Sequence, residues 1–322
     1  VQNATLQLTA PGQIRNTAAL TLNGGATLTL WGNNTIGSLA FNNSGATSAA
    51  AVNLSFATPA TSATTLGSST ITVGTTAGIV VGQPVTGTGI PTGAEVTSIT
   101  GGTQITVSAA ATATGNVALT FGGSLTLGGG TLTAQNDIFG LDPIINAGGF
   151  VNAAGGTLTV NASGLAPRAV LISSPVVNGS LLKTGTGGIQ LSATGIGFGG
   201  ANIADGLFQV NTANVLPAGS AFTLGDTATL DLNGVSVFVS RLSGGGRVTA
   251  SNNAQTLTFG TDNTSTTFGG QFAAYSRATL GFLAATKLGS GTVTLTGVSD
   301  TIGNFSALQG KTVLSGSGAF AL

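Results

Sequence analysis

The 322-residue chain has no cysteine, no histidine and no methionine, and charged residues make up only 5% of it. Absent cysteine excludes disulfides, thiolate nucleophiles and Cys-based zinc sites. Absent histidine removes the usual base of a Ser-His-Asp triad. Eight basic residues balance eight acidic ones, so no basic stripe exists to attract nucleic acid, which is not expected as a partner. No apolar run approaches the roughly 20 residues of a spanning helix, and no membrane insertion by this segment is expected. Translation starts with Met, so Val1 is read as internal to a longer primary product.

What remains is 53 glycines and a hydrophobic fraction of 41%. Disorder goes with low hydrophobicity and high net charge, the reverse of this composition, so the chain is expected to fold. An ordinary domain is about 25% charged, so this surface must be wetted by hydroxyls, amides and backbone. Thr, Val, Ser, Asn and Gly favour strands and turns over helix interiors. Short alternating runs recur: "ATLTL" at Ala26, "SLTL" at Ser124, "GTLTV" at Gly156, "ATLDL" at Ala228, "QTLTF" at Gln255 and "TVTLTG" at Thr292. Each has the period of a strand with one buried face, and Gly, Asn and Asp turn signals separate them.

These strands also resemble one another. "LLKTGTGGIQLSA" (Leu181–Ala193) returns as "ATKLGSGTVTLTG" (Ala285–Gly297), with Lys183 aligned to Lys287, and "ATLTLWGNNTIGSL" at Ala26 returns as "ATLDLNGVSVFVSRL" at Ala228. Self-similarity of this kind marks a solenoid, in which each unit buries its apolar edge only by stacking on its neighbours. The reading is an all-β, right-handed parallel β-helix over 1–61 and 122–322, with coils rising about 4.8 Å each. Leu28, Leu30, Leu125, Leu127, Leu158, Val160, Leu230, Leu232, Leu257, Phe259, Val293 and Leu295 are expected inside, with Leu182, Leu288, Ile189 and Leu191. Lys183 and Lys287, beside glycine turns, are expected to point to water.

The phrases "LLKTGTGGIQLS", "LDLNG", "RLSGGGRV" and "FGGQF" resemble the autotransporter-associated β-strand repeat, clearly over about 122–322 and more loosely over 1–61. Leu182–Gly187, Leu232-Asn233-Gly234 and Phe268-Gly269-Gly270 carry the match. The segment "ATGIGFGGANI" (Ala193–Ile203) is degenerate, and that coil is expected to be irregular. The resemblance implies a passenger-type β-helix at the bacterial cell surface or outside the cell, and says little about chemistry. Residues 62–121 break the pattern, with Pro84, Pro91 and the one glutamate, Glu95. They resemble a small β module inserted in bacterial surface and phage-tail-type proteins, the rival being further coils.

Carboxylates are Glu95, Asp137, Asp142, Asp205, Asp226, Asp231, Asp262 and Asp300. The best local pairs, Asp137 with Asp142 and Asp226 with Asp231, sit in turns where Asp caps backbone groups. Acid/base catalysis would need further partners on the same face. Asn233, Asn252 and Asn263 are expected to cap or stack on neighbouring coils. Trp31 is read as coil-edge packing, with a glycan platform as the alternative. No cofactor, no metal site and no catalytic residue is expected. The first reading of function is a non-catalytic extracellular building block of a fibre, sheath or layer. It would self-associate head to tail through Val1, Leu6, Leu8, Val313, Leu314, Phe320 and Leu322, since open strand edges template further strands. The alternative is an adhesin binding glycan or a host surface, marked by an exposed aromatic or charged patch on the inserted module. A polysaccharide-degrading enzyme comes third.

Overall fold

The computed structural model describes residues 3–55, 60–77, 79, 81–193, 197–212, 216, 219–274, 283–297 and 302–315. Those residues form strands and turns with no helix, and the strands stack in parallel. One column of side chains shows how. Leu6 lies over Leu28, Leu28 over Val52, Val52 over Ile145, then Ile172, Leu191 and Val210, each pair in parallel register. Alternation sends every second residue into the barrel of coils, and the parallel ladder lines those residues up. The stack is a β-solenoid with a continuous apolar interior. The residues from Leu28 to Leu295 expected inside are buried, Ile189 and Leu191 included, except for Leu182 and Leu288. Toward the C-terminal half, phenylalanines fill the core: Phe208 meets Phe222 edge-on with centroids 5.9 Å apart, and Phe268 meets Phe272 at 5.0 Å.

The phase of the repeated lysine phrase differs from expectation. Leu181 and Lys183 are the buried residues, and Leu182 is only partly covered. Likewise Leu283, Ala285 and Lys287 point inward while Leu288 does not. A one-residue slip exchanges the two faces of a strand. "LLK" offers two adjacent leucines, and the register of neighbouring coils selects the first. Lys183 therefore occupies a core column that runs Leu39, Leu132, Val160, Lys183, Ile203, Leu224. The expectation that both lysines face water is corrected: each is 0% exposed.

The coil after Ser192 is irregular, as its degenerate sequence implied. Pairing between Val176–Thr184 and Gly197–Val210 shifts register on both sides of Gly179. Between the strands Ala51–Ser55 and Gly123–Gln135 the chain leaves the stack. Residues from Ala60 to Phe121 form a six-stranded sheet whose pairings are antiparallel, unlike any coil. The sheet covers its own core of Ile71, Val85, Val96, Ile105, Leu119 and Phe121. It is a separate β module seated against the solenoid, where Gly82 meets Val177 closely enough that a Cβ at Gly82 would lie 2.5 Å from the valine.

Candidate functional site

The two buried lysines come first because they are the most unusual groups. Lys183 sends its ammonium to the carbonyl of Gly185 and, at 2.7 Å, to that of Asp205 on the next coil. Lys287 repeats the arrangement with Gly289, with Gly291 at 2.6 Å and with Gln309 on the next coil at 2.9 Å. Helix-less coils leave turn carbonyls pointing inward, and a buried ammonium supplies the donors. Desolvation pushes the Lys183 pKa down to about 8, partly opposed by the Asp205 carboxylate. Burial lowers Lys287 as well. In both turns a glycine at positive φ follows the distal carbonyl, Gly206 at 71° and Gly310 at 69°. A side chain at Gly206 would press on the Lys183 ammonium and lie 2.6 Å from the Gly185 oxygen. These lysines are structural, tying one coil to the next from inside.

On the outside, polar side chains link into a ladder along the axis. Asn43 donates to Asn136 at 3.3 Å, and Asn136 donates to Asp142 at 3.3 Å. Asp142 pairs with Arg168 at 2.7 Å, and Arg168 donates to Gln190 at 3.2 Å. Gln190 donates to Gln209, which donates to Asp231 at 2.7 Å. Asp231 also accepts from the Ser251 hydroxyl at 2.6 Å and the Ser251 N–H at 2.9 Å. Much of this ladder is sealed: Asn136 is 0%, Gln190 2% and Asp231 3% exposed.

At Arg168 the ladder opens to solvent. The turn Asn136–Asp142 stacks on the turn Gly164–Arg168, held by an Ala166 N–H to Asn136 carbonyl bond of 3.0 Å and a Leu165 N–H to Asp137 carboxylate bond of 3.1 Å. Hydrogen bonds from the Ser44 side chain and this N–H hold Asp137 below the usual carboxylate range. Phe139 stands out from the first turn at 82% exposure and Leu165 from the second at 89%. An aromatic, an aliphatic and a charged pair thus share one lateral patch. Nothing in the sequence marked Phe139, since a Phe after a turn reads as a core anchor.

The other candidates fall elsewhere. In the two local pairs, Asp137 accepts from the Leu165 N–H and Asp142 from Asn136 and Arg168, while Asp231 accepts from Gln209 and Ser251. Asp205 accepts from the Gly206 N–H at 2.7 Å, and Asp262 accepts from Thr264 and faces Arg241 at 3.6 Å. Asp226 is exposed, and Asp300 lies outside the described residues. Asn233 donates to Asn211 of the neighbouring coil at 2.8 Å, Asn263 accepts from the Ser290 N–H at 2.8 Å, and Asn252 lies beside Gly234. Trp31 is 45% exposed at the end of its strand. Of the expected assembly residues, Leu8 is spent on the core, Leu6 and Val313 are half-buried, and Leu314 is 54% exposed. Val1, Phe320 and Leu322 lie outside the described residues.

No protein-family model matches the chain, so the autotransporter-type resemblance rests on the quoted phrases alone. No curated protein matches it either. Among solved structures the chain is similar to the tailspike protein gp49 of Pseudomonas phage LKA1, at 14% identity and a TM-score of 0.29. It is also similar to the Gp54 tailspike of Acinetobacter baumannii bacteriophage AP22, in complex with A. baumannii capsular saccharide, at 9% identity and a TM-score of 0.30. Each alignment covers 92% of this chain and 68% of the other. Likenesses at this level carry no argument about function, which must come from the chain's own surface.

Proposed function

We propose that this chain is a non-catalytic β-solenoid of the cell exterior whose lateral face binds glycan. The observation that carries the reading is the patch of Phe139 and Leu165 beside the Asp142–Arg168 pair. An exposed aromatic ring takes the C–H face of a sugar, while a guanidinium and carboxylate meet its hydroxyls. Phe139 and Leu165 stand on two stacked turns, so the face they form runs along the axis over more than one coil. A hydrolase is disfavoured because one member of each candidate pair is already engaged, Asp142 by Asn136 and Arg168 and Asp231 by Gln209 and Ser251.

The test is titration with a panel of bacterial surface polysaccharides, with chromatography of the products. Wild type is expected to bind at least one polysaccharide without shortening it. Phe139→Ser and Arg168→Ala should each weaken binding at least tenfold, and Phe139→Ser should leave the melting temperature unchanged. Cleaved products, or a Phe139→Ser variant that binds as wild type, would refute the reading.

The building-block reading is kept as a second one. The strand Lys311–Leu314 is paired on one side only among the described residues, and it carries the exposed Leu314. Light scattering over a concentration series tests it: growth in mass that Leu314→Lys abolishes supports assembly, and a constant monomer mass removes it.

A further inference from the structure

The module and the solenoid enclose a cleft of about 280 Å³ between them. Pro84, Ala94 and Glu95 form the module side, and Ser173, Pro175 and Ser192 on neighbouring coils face them. Two polar groups here lack what they need. Burial raises the pKa of the Glu95 carboxyl, and neither a hydrogen bond nor a nearby charge offsets that cost. The Ser192 hydroxyl is sealed from solvent and has no hydrogen-bond partner among the described residues. Among the described residues no Lys or Arg lines the cleft. Buried polar atoms are nearly always satisfied, and each exception calls for an explanation.

We propose that the cleft binds the primary ammonium group of a small ligand, with Glu95 as its counter-ion and Ser192 as a neutral acceptor. An ammonium brings several N–H donors and a positive charge, which are what the orphan hydroxyl and the desolvated carboxylate lack. A neutral hydroxyl supplies a donor but no charge, and an anionic ligand meets repulsion. The volume stands just below the about 300–1,000 Å³ typical of small-molecule sites, which selects a ligand the size of one amino sugar over a polymer. Junctions between domains are where such sites recur, and a perturbed carboxyl in a cleft is a functional-site signature. The site is independent of the Phe139 patch, none of whose residues lines the cleft.

The ammonium holds Glu95 in its ionised form, so affinity falls when Glu95 is protonated. The raised pKa brings that loss nearer neutral pH than an ordinary glutamate would. The experiment is a calorimetric or NMR titration of the whole chain with glucosamine, using glucose as the neutral counterpart. Glucosamine should saturate the site at pH 7, with glucose at least about tenfold weaker. Glu95→Gln should weaken glucosamine at least about tenfold while melting no lower than wild type, because it removes a desolvated charge. Ser192→Ala should weaken it by a smaller factor, and the dissociation constant in wild type should rise from pH 7 to pH 5. Phe139→Ser should bind glucosamine as wild type does, which separates this site from the lateral patch. Absence of glucosamine binding, equal binding of glucose, or an unaffected Glu95→Gln variant would overturn the proposal.

Discussion

Most proteins lose stability as pH climbs toward 10, but the buried lysines give this chain the opposite tendency. The folded Lys183 has a pKa of about 8 against 10.5 when exposed, so between those values the unfolded chain binds more protons than the folded one. Unfolding then takes up a proton, and stability rises with pH across that window. The drop corresponds to at most about 3–4 kcal/mol for Lys183, with Lys287 adding in the same direction. Lys183→Met keeps the stem in the column between Val160 and Ile203 and deletes the charge. It leaves the Gly185 and Asp205 carbonyls without their donor, at about 1–3 kcal/mol each, and removes the desolvation of the ammonium. Those terms nearly offset, so stability at pH 7 should move by less than about 3 kcal/mol. The slope should change far more. Urea midpoints of wild type measured from pH 7 to 10.5 should climb, those of Lys183→Met should climb less, and those of the Lys183→Met, Lys287→Met double variant should stay flat or fall. If wild type and double variant trace parallel curves, the lysines do not titrate as argued.

Further substitutions probe the same architecture. Gly206→Ala should destabilise by several kcal/mol, since a Cβ there presses on Lys183 and the Gly185 oxygen, whereas Gly12→Ala, with a similar φ of 72° but nothing within 4 Å, isolates the backbone cost of about 1 kcal/mol. Leu132→Ala, fully buried in the lysine column, should cost about 2–5 kcal/mol, while Leu165→Ala, 89% exposed, should stay within about 0.5 kcal/mol. Asp231→Ala strands the donors of Gln209, Ser251 and Asn233 and should cost about 3 kcal/mol or more, read as a lower urea midpoint.

The coil stack was legible because Leu28, Leu30, Leu230 and Leu232 alternate cleanly with polar residues, and period two admits one answer there. The lysines were not, for two reasons. Adjacent Leu181 and Leu182 leave the phase of their strand open, and a lysine inside a column of aliphatics has no apolar pattern to betray it. The polar ladder was hidden by unequal coil lengths: Arg168 to Gln190 spans 22 positions and Gln190 to Gln209 only 19, so no fixed period joins them. The lateral patch escaped because Phe139 sits in "NDIFGLDP", a turn that carries no repeat phrase. Glu95 was visible as the one glutamate, but its cleft is made by chain segments that only the seating of the module brings together.

The seating of that module also decides how force would travel through the molecule. Val52, before the departure, lies directly over Ile145 after the return, and Ile36 lies over Leu127. Tension along the axis therefore passes from rung to rung as though the intervening sheet were absent. The module rides outside the load path. A rod of this kind can bear strain while its appended domain keeps its shape, and it can gain or lose such a domain without reworking the coils on either side.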